Sequence, residues 1–580
     1  MENGPLASER LKRPLVNGRL MSAELKEAIR KYALQNAALY GGKANPKAVM
    51  GKVLAEQPEL RSRAKEVSAA AEEVCREVAS MPFDEICRMA ESIDPNLLKK
   101  TKCERKHALP DLPGAEEGKV VMRMAPGPSG PLHLGHTRVS ILNDEYVKRY
   151  KGKYIDRLED TNPEKIDPDA YRMIPEDLAW LGIEVHETVI QSDRFALYYD
   201  IARQLIDLGK AYVCTCPADP WRKLKEEGRA CPHHDQAPEE AHELLDKMLS
   251  HAFGEEEAVF VVKTDLKHPN PAVRDFIGLR IVDSVPHPRT GTRYTVYPMM
   301  NFSVAVDDHF LGLTHVIRGK DHLNNTLRQE YIFNYFGWKK PWYHHYGLVQ
   351  IPDAILKTST VGKGIKTGEY AGWDDVRLGT VRAMAKRGIQ AEAIRNYWVD
   401  VGMKEVDIEF AWDNLYAFNK QIIDPAADRY FFVWDPQPLE IAGIDRLESR
   451  SPLHPDHPEK GTRDNTLVQP IKVVLTRDDL EGFKERGTVR LKDLCNLRWE
   501  NGKGVYTGND HNVLREGVKI SHWAPADGVE CEVTMPDGSV RKGMAERIPG
   551  NEAGKVVQFE RFGFARIEST APRVKAYFTQ

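Results

Sequence analysis

Arg123-Met124-Ala125-Pro126-Gly127-Pro128-Ser129-Gly130-Pro131-Leu132-His133-Leu134-Gly135-His136 is the stretch on which the reading of this chain turns. Residues 120–124 read as a short buried strand, Pro and Gly crowd the following turn, and 137–150 carry apolar residues at helical spacing. The two histidines therefore fall at a helix start, where unpaired backbone N–H groups and the positive end of the helix dipole attract phosphate. His133 and His136, three residues apart, share one face and can meet charge that develops on a phosphate during displacement. Strand, turn-rich loop and helix in this order suit the phosphates of ATP. Without its surroundings, His-x-Gly-His also fits a loop with two surface histidines.

Downstream of Lys119 short apolar strands alternate with helices, with a strand at 154–158 and helices at 168–181 and 195–208. Such alternation predicts a parallel sheet with right-handed crossovers, and ligands in such sheets bind beyond the strand carboxyl ends, where the histidine loop falls. No G-x-G-x-x-G follows a strand, which argues against a dinucleotide site. Residues 211 to about 295 break the pattern with a charged helix and strands at 258–263 and 279–282, and read as an insertion. The sheet is expected to resume over 297–318, followed by a helix at 323–336. From about 426 short strands at 471–475, 487–491, 518–521, 529–535 and 556–567 separated by Gly, Pro and Asp predict two small β-barrels. Ahead of all this, 23–36, 46–56, 60–81 and 83–92 carry helical periodicity, and the Pro-, Gly- and Glu-rich stretch 108–118 reads as a linker.

At 580 residues the chain exceeds what one core serves, so several domains are expected. Charged residues make up 29% and hydrophobic ones 41%, with no apolar run of membrane-spanning length and no signal-like pattern in 1–20, which predicts a cytoplasmic protein with no membrane contact. A formal net charge of −4 argues against a uniformly basic nucleic-acid binder but leaves room for local basic faces. Eight cysteines, several scattered singly, do not form a secreted disulfide framework. Cys214-Thr215-Cys216 and Cys231-Pro232-His233 offer three thiolates and one imidazole, the donor set of a closed structural Zn2+ site; the plain alternative is reduced cysteines in a surface loop.

The loop at 123–136 resembles the "HIGH" signature of class I aminoacyl-tRNA synthetases, with Leu134 where the family carries Ile; related nucleotidyltransferases share it. Tyr154-Ile155-Asp156-Arg157-Leu158-Glu159-Asp160-Thr161-Asn162-Pro163 resembles the R-x-E-D motif of the glutamyl and glutaminyl subfamily, which implies that Glu159 binds the α-amino group of the amino acid. The stretch 307–321, with Thr314-His315-Val316-Ile317-Arg318-Gly319-Lys320-Asp321, is similar to the second half of that catalytic fold. A desolvated side-chain carboxylate needs a paired cation, which guanidinium supplies in two-pronged form. The glutaminyl branch carries an uncharged residue at the place of Arg318, so the resemblance implies glutamate; Arg123 and Ala125 complete the implied amino-acid pocket. The second family signature, K-M-S-K-S, is reduced to Ile355-Leu356-Lys357-Thr358-Ser359-Thr360, placed by its distance to Gly372-Trp373-Asp374-Asp375. Lys357 is the chosen phosphate-binding lysine, with Lys363 its rival, and Met300 stands where relatives have a tyrosine. The Cys214, Cys216, Cys231, His233 spacing resembles the zinc ligands in the acceptor-stem insertion of some glutamyl enzymes, and 41–49 resembles the helical tail of tRNA-dependent amidotransferase subunits, which would imply tRNA contact.

From about Lys119 onward the likeness is closest to archaeal glutamyl-tRNA synthetases of glutaminyl-like architecture. It implies an α/β plus all-β chain: a helical N-terminal domain (1–115), a Rossmann-like catalytic domain in two halves (116–210 and 297–345) around an acceptor-stem insertion (211–296), a helical connective domain (346–425) and β-barrel anticodon-binding domains (426–580). It further implies ATP bound by residues 126–136 and Lys357, with His133, His136 and Lys357 acting on the phosphates. ATP, Mg2+ and structural Zn2+ are the expected cofactors. The expected reaction is glutamyl-adenylate formation and transfer to tRNA(Glu), by a monomer, with tRNA(Gln) left open as a second substrate. The alternatives are a glutaminyl-tRNA synthetase, a tRNA-binding protein with a decayed synthetase fold, and a nucleotidyltransferase with a small acceptor.

Overall fold

The computed structural model describes residues 15–16, 19–20, 23–39, 42–57, 60, 63–93 and 109–580. The chain divides into two units, Met1–Lys106 and His107–Gln580. In the first, β1 (Leu15–Val16) pairs antiparallel with β2 (Arg19–Leu20), and four helices follow: α1 (Ala23–Leu39), α2 (Pro46–Glu56), α3 (Ala64–Ala79) and α4 (Phe83–Ile93). Apolar residues three and four apart, such as Ile29, Ala33 and Ala37, meet Val53, Val67, Val74 and Ile86 in one core. Asn45 starts α2 by accepting from Lys47 N–H (3.0 Å), with Pro46 in the first helical position. Residues 1–14, 41 and 94–108, on which parts of the leader, amidotransferase-like and linker readings rest, lie outside the described residues.

In the second unit the expected alternation is present. β3 (Val121–Met124), α5 (Leu134–Arg149), β4 (Lys153–Leu158), α6 (Ala170–Trp180), β5 (Glu187–Ile190) and α7 (Phe195–Asp207) run in sequence, with the three strands parallel in the order β3-β4-β5. The insertion then builds an antiparallel sheet, β6 (Ala211–Cys214), β7 (Val259–Val262), β8 (Phe276–Ile281) and β9 (Val296–Pro298), with α8 (Ala218–Glu226) and α9 (Pro238–Leu249) between β6 and β7. The stretch 297–318 is not a resumed parallel sheet throughout: β9 pairs with β8, α10 (Met300–Phe310) follows, and only β10 (His315–Gly319) returns. Phe302 to Asp308 are buried on every side of α10, and an apolar run without a polar face carries no periodicity to separate helix from strand. β10 lies beside β3, where Thr314 N–H donates to Val121 O (3.1 Å). After α11 (Leu323–Phe336), β11 (Trp342–Tyr346) pairs parallel with β10.

Four helices, α12 (Thr358–Thr367), α13 (Val381–Arg387), α14 (Ala391–Val401) and α15 (Trp412–Ile423), lead from the catalytic layer to the β-rich part. Trp398, Phe410 and Leu415 share a core with Leu132 and Leu134 of the histidine loop. Residues 429–578 form two seven-stranded sheets plus a two-stranded ribbon, with separate cores around Val473, Phe483 and Trp523 and around Val533, Phe559 and Ile567. The expected strand at 556–567 is a hairpin, Val556–Phe559 with Gly563–Ser569, turned through Arg561 (φ 63°). Among the described residues no helix is long and apolar enough to cross a membrane.

Candidate active site

The histidine loop is closed by its own side chains. His133 caps α5, its Nδ1 accepting from Gly135 N–H (3.1 Å), while His133 N–H points at His136 Nδ1 (3.4 Å). The rings stack with centroids 3.7 Å apart. Burial pulls His133 down to about 4, and burial and then the neighbouring ring push His136 well below its usual range, so both are neutral at pH 7. Since each Nδ1 faces a backbone N–H, the proton of each neutral ring belongs on Nε2, which makes both rings hydrogen-bond donors on their outer edge. A Cβ on Gly135 would come 3.0 Å from the His133 ring, and one on Gly130 (φ 152°) would come 2.8 Å from the indole of Trp373, so neither position has room for a side chain.

Several neighbours fix the loop. Glu159 N–H donates to Pro126 O (2.9 Å) and Asp167 N–H to Pro128 O (2.8 Å). Leu132 and Leu134 are fully buried, and their backbones pair with the start of α13: Val381 N–H donates to Leu132 O (2.9 Å), and Leu134 N–H to Gly379 O (3.0 Å). Asp177 of α6 accepts from Leu132 N–H (2.9 Å), while its other oxygen lies 3.0 Å from Arg382 Nε.

Beside the loop lies a cavity of about 240 Å³ lined by Arg123, Ala125, Pro126, Gly127, Gly135, His136, Glu159 and Arg318 together with Met300, His322 and Tyr346. Arg157 of β4 runs beneath it, with Nη1 2.7 Å from Asp308 Oδ1 and Nη2 2.9 Å from Glu159 Oε1. Burial alone would lower Arg157, but Asp308, Glu159 and Asp307 outweigh it and hold the guanidinium charged. Burial raises Glu159, and burial followed by repulsion from Arg123 lowers Arg318 to about 10. Burial likewise lowers Arg123, so Arg123 and Arg318 line the cavity with little surrounding water. His322 and Tyr346 escaped the sequence reading because a single His or Tyr on a strand or helix edge carries no motif; only the pairing of β10 with β11 brings Tyr346 opposite Gly319.

Of the other expected residues, Leu132 and Leu134 turn their side chains into the core and can reach a nucleotide only through backbone. Ser129 lines a second opening of about 720 Å³ with Lys165, Lys363, Lys366 and Trp373. Lys357 lines neither cavity; it is the exposed N-cap of α12, one residue before Thr358, whose hydroxyl is 3.0 Å from Ser129 Oγ.

Cys214, Cys216, Cys231 and His233 converge, with all four donor atoms within 4.8 Å of one another. Cys214 Sγ is 3.8 Å from Cys231 Sγ and 3.7 Å from His233 Nδ1, and Cys216 Sγ is 3.4 Å from that nitrogen. A tetrahedral zinc with Zn–S bonds of about 2.3 Å has edges of about 3.8 Å, so the donor set fits that ion. His233 Nε2 faces Thr215 Oγ1 (3.1 Å), which orients the ring.

The model of the family described as "tRNA synthetases class I (E and Q), catalytic domain" matches residues 119–425, and that of its "anti-codon binding domain" matches 427–513. The chain is 48% identical over 553 residues to a glutamate–tRNA ligase of Thermoplasma volcanium, covering 95% of this chain and 99% of that protein. To the glutamate–tRNA ligase of Methanopyrus kandleri it is 47% identical, covering 94% and 97%. To that of Methanocaldococcus jannaschii it is 49% identical, covering 94% and 98%.

Proposed function

The chain belongs to the class I glutamyl- and glutaminyl-tRNA synthetase family, and on that premise we propose that it is the glutamate ligase, using ATP to join L-glutamate to tRNA(Glu) for protein synthesis. The observation that carries the choice of amino acid is Arg318, whose buried guanidinium lines the cavity next to Arg123. A neutral carboxamide would leave that charge unpaired out of water, a cost on the order of several kcal/mol.

The reaction begins with attack of the glutamate α-carboxylate on the α-phosphate of ATP, displacing pyrophosphate, and ends with attack of a hydroxyl of the terminal adenosine of tRNA on the acyl carbon, releasing AMP. Glu159 is the partner for the α-ammonium, and Arg318 with Arg123 for the side-chain carboxylate. His133 and His136, as neutral Nε2–H donors, are suited to the phosphate oxygens, where fixed donors are worth most as charge moves. Lys363 is better placed than Lys357 to reach phosphate from α12, because it lines the opening at Ser129. Mg2+ accompanying the nucleotide would supply neutralising charge at its phosphates. Zn2+ would be held by Cys214, Cys216, Cys231 and His233 and would brace the start of the insertion without taking part in chemistry. The remaining readings, a monomer and an anticodon role for the terminal sheets, follow the family; charging of tRNA(Gln) is decided by assay.

The test is aminoacylation of separate tRNA(Glu) and tRNA(Gln) transcripts with labelled glutamate or glutamine. Glutamate on tRNA(Glu) is expected, glutamine on neither. Arg318→Ala should raise the glutamate KM by about a hundredfold while leaving that for ATP within about threefold. An unchanged glutamate KM would remove Arg318 from its assigned role, and absence of any charging would overturn the ligase reading.

A further inference from the structure

Arg318 is oriented by uncharged partners. Its Nη2 donates to Thr326 Oγ1 (2.5 Å) and Gln329 Oε1 (2.9 Å), two residues three apart on α11 and so on one helix face. Both acceptors are uncharged. Thr326 Oγ1 is itself fixed by His345 Nε2 (2.8 Å) and His322 O (3.2 Å), and Gln329 is fully buried. The ring of Tyr343 lies 5.0 Å from the guanidinium carbon. Among the described residues Arg318 makes no ion pair, whereas Arg157 has Asp308 and Glu159, and Arg123 approaches Asp308 at 3.9 Å.

The difference matters because an arginine can be oriented equally well by a carboxylate or by a neutral oxygen, but only the carboxylate cancels its charge. An acid at position 329 would fix the same direction and leave a neutral pair, to which a carboxamide substrate binds as readily as a carboxylic one. Hydroxyl and amide oxygens fix the fork and leave the positive charge standing. Two of the five N–H donors are spent on α11; Nε is buried without a partner among the described residues, and Nη1 is the nitrogen left for a ligand. We propose that Thr326 and Gln329 are positioning residues that determine specificity: by anchoring Arg318 through uncharged oxygens they aim it without neutralising it, so that a substrate bearing a side-chain carboxylate is required. This rests on the glutamate-ligase reading and on Arg318 as its carboxylate partner.

Gln329→Glu is the discriminating variant, because it keeps shape and acceptor while adding the cancelling charge. In aminoacylation of tRNA(Glu) it should raise the glutamate KM by about tenfold or more, with saturating rate and ATP KM within about threefold, and reduce the preference for glutamate over glutamine by about tenfold. Gln329→Met, which removes the acceptor but not the charge demand, should raise the glutamate KM and keep the preference. A Gln329→Glu enzyme with the parental glutamate-to-glutamine ratio overturns the proposal. Should burial of the new acid prevent folding, judged by circular dichroism and thermal unfolding, Thr326→Val against Thr326→Ser decides: only valine should raise the glutamate KM, and equal values for the two overturn it. Failure of the parental protein to charge tRNA with glutamate would instead bring down the underlying reading, so the two failures are told apart.

Discussion

Burial makes the two loop histidines neutral donors, and this has a signed consequence for pH. His133 sits at about 4 in the fold against a usual 6.5, so the unfolded chain binds the extra proton first as pH falls. Its contribution to stability is whole above about 6.5 and is lost as pH drops from there toward 4. Urea unfolding at pH 7.5 and 5 should show the loss, and His133→Gln should flatten it; an unaltered slope would show that the ring is not desolvated. At this scale much of the site was legible. His133, His136, Glu159 and Arg318 sit in motifs whose order carries meaning even before folding. Thr326 and Gln329 carry no such mark, because their value lies in facing Arg318 across a strand-to-helix contact that only tertiary packing creates. The lysine of the second signature was the least legible, since Lys357 and Lys363 lie within two turns of each other at the start of α12 and no local pattern chooses between them.

Among elements, α13 ties the histidine loop to the β-rich part. Its start is hydrogen-bonded to the backbone around His133, with Thr380 bridging to that residue, and its end meets the second β-rich sheet, where Arg387 Nη2 donates to Thr579 O (3.1 Å) and Thr579 Oγ1 donates to Arg387 O (2.5 Å). Arg382, in its first turn, reaches Asp177, which burial raises to about 6 and which holds Leu132 N–H. Arg382→Ala should therefore slow adenylate formation by about tenfold at nearly constant ATP KM, because it loosens the loop rather than removing a nucleotide contact. Pyrophosphate exchange in the presence of tRNA measures both, and a fully retained rate would show that Asp177 and the backbone pairing suffice. The insertion depends on another clamp. Protein purified without chelator should contain about one zinc per chain by mass spectrometry, and Cys231→Ser should lose it and open 211–236 to proteolysis. Metal-free protein with the same protection would dismiss the ion. The N-terminal helices, α5, α6, α7 and α11 were readable from periodicity, whereas α10, buried on every side, was not. A strand from 297 was expected, but its antiparallel pairing with β8 was not, because that partner is chosen by a fold-back that no local pattern encodes.

At the scale of the whole chain, the two β-rich sheets are locked by buried charge. Arg463 reaches Glu546 (2.8 Å) and Glu560 (2.9 Å), and Lys492 of the other sheet pairs with the same Glu560. Glu546 is 2% exposed, so Arg463→Met would leave its charge without a cation, with the Phe431 N–H and Asn465 as remaining donors, at a cost of about 3 kcal/mol. The expected result is an earlier urea midpoint with early loss of tRNA charging; an unshifted midpoint would show that the cluster is solvated. Two barrels could be foreseen from turn spacing alone. Their strand order could not, since neighbours such as residues 529–534 and 574–578 pair across some 40 intervening positions, as Cys531 with Val574 shows. Trp373 gives the molecule a native spectroscopic handle. The edge of its indole lies against both Gly130 of the histidine loop and Gly362 of α12. A fluorine on that ring would register every shift of the loop against the helix, so its resonance should move when ATP arrives and stay still when glutamate alone is added.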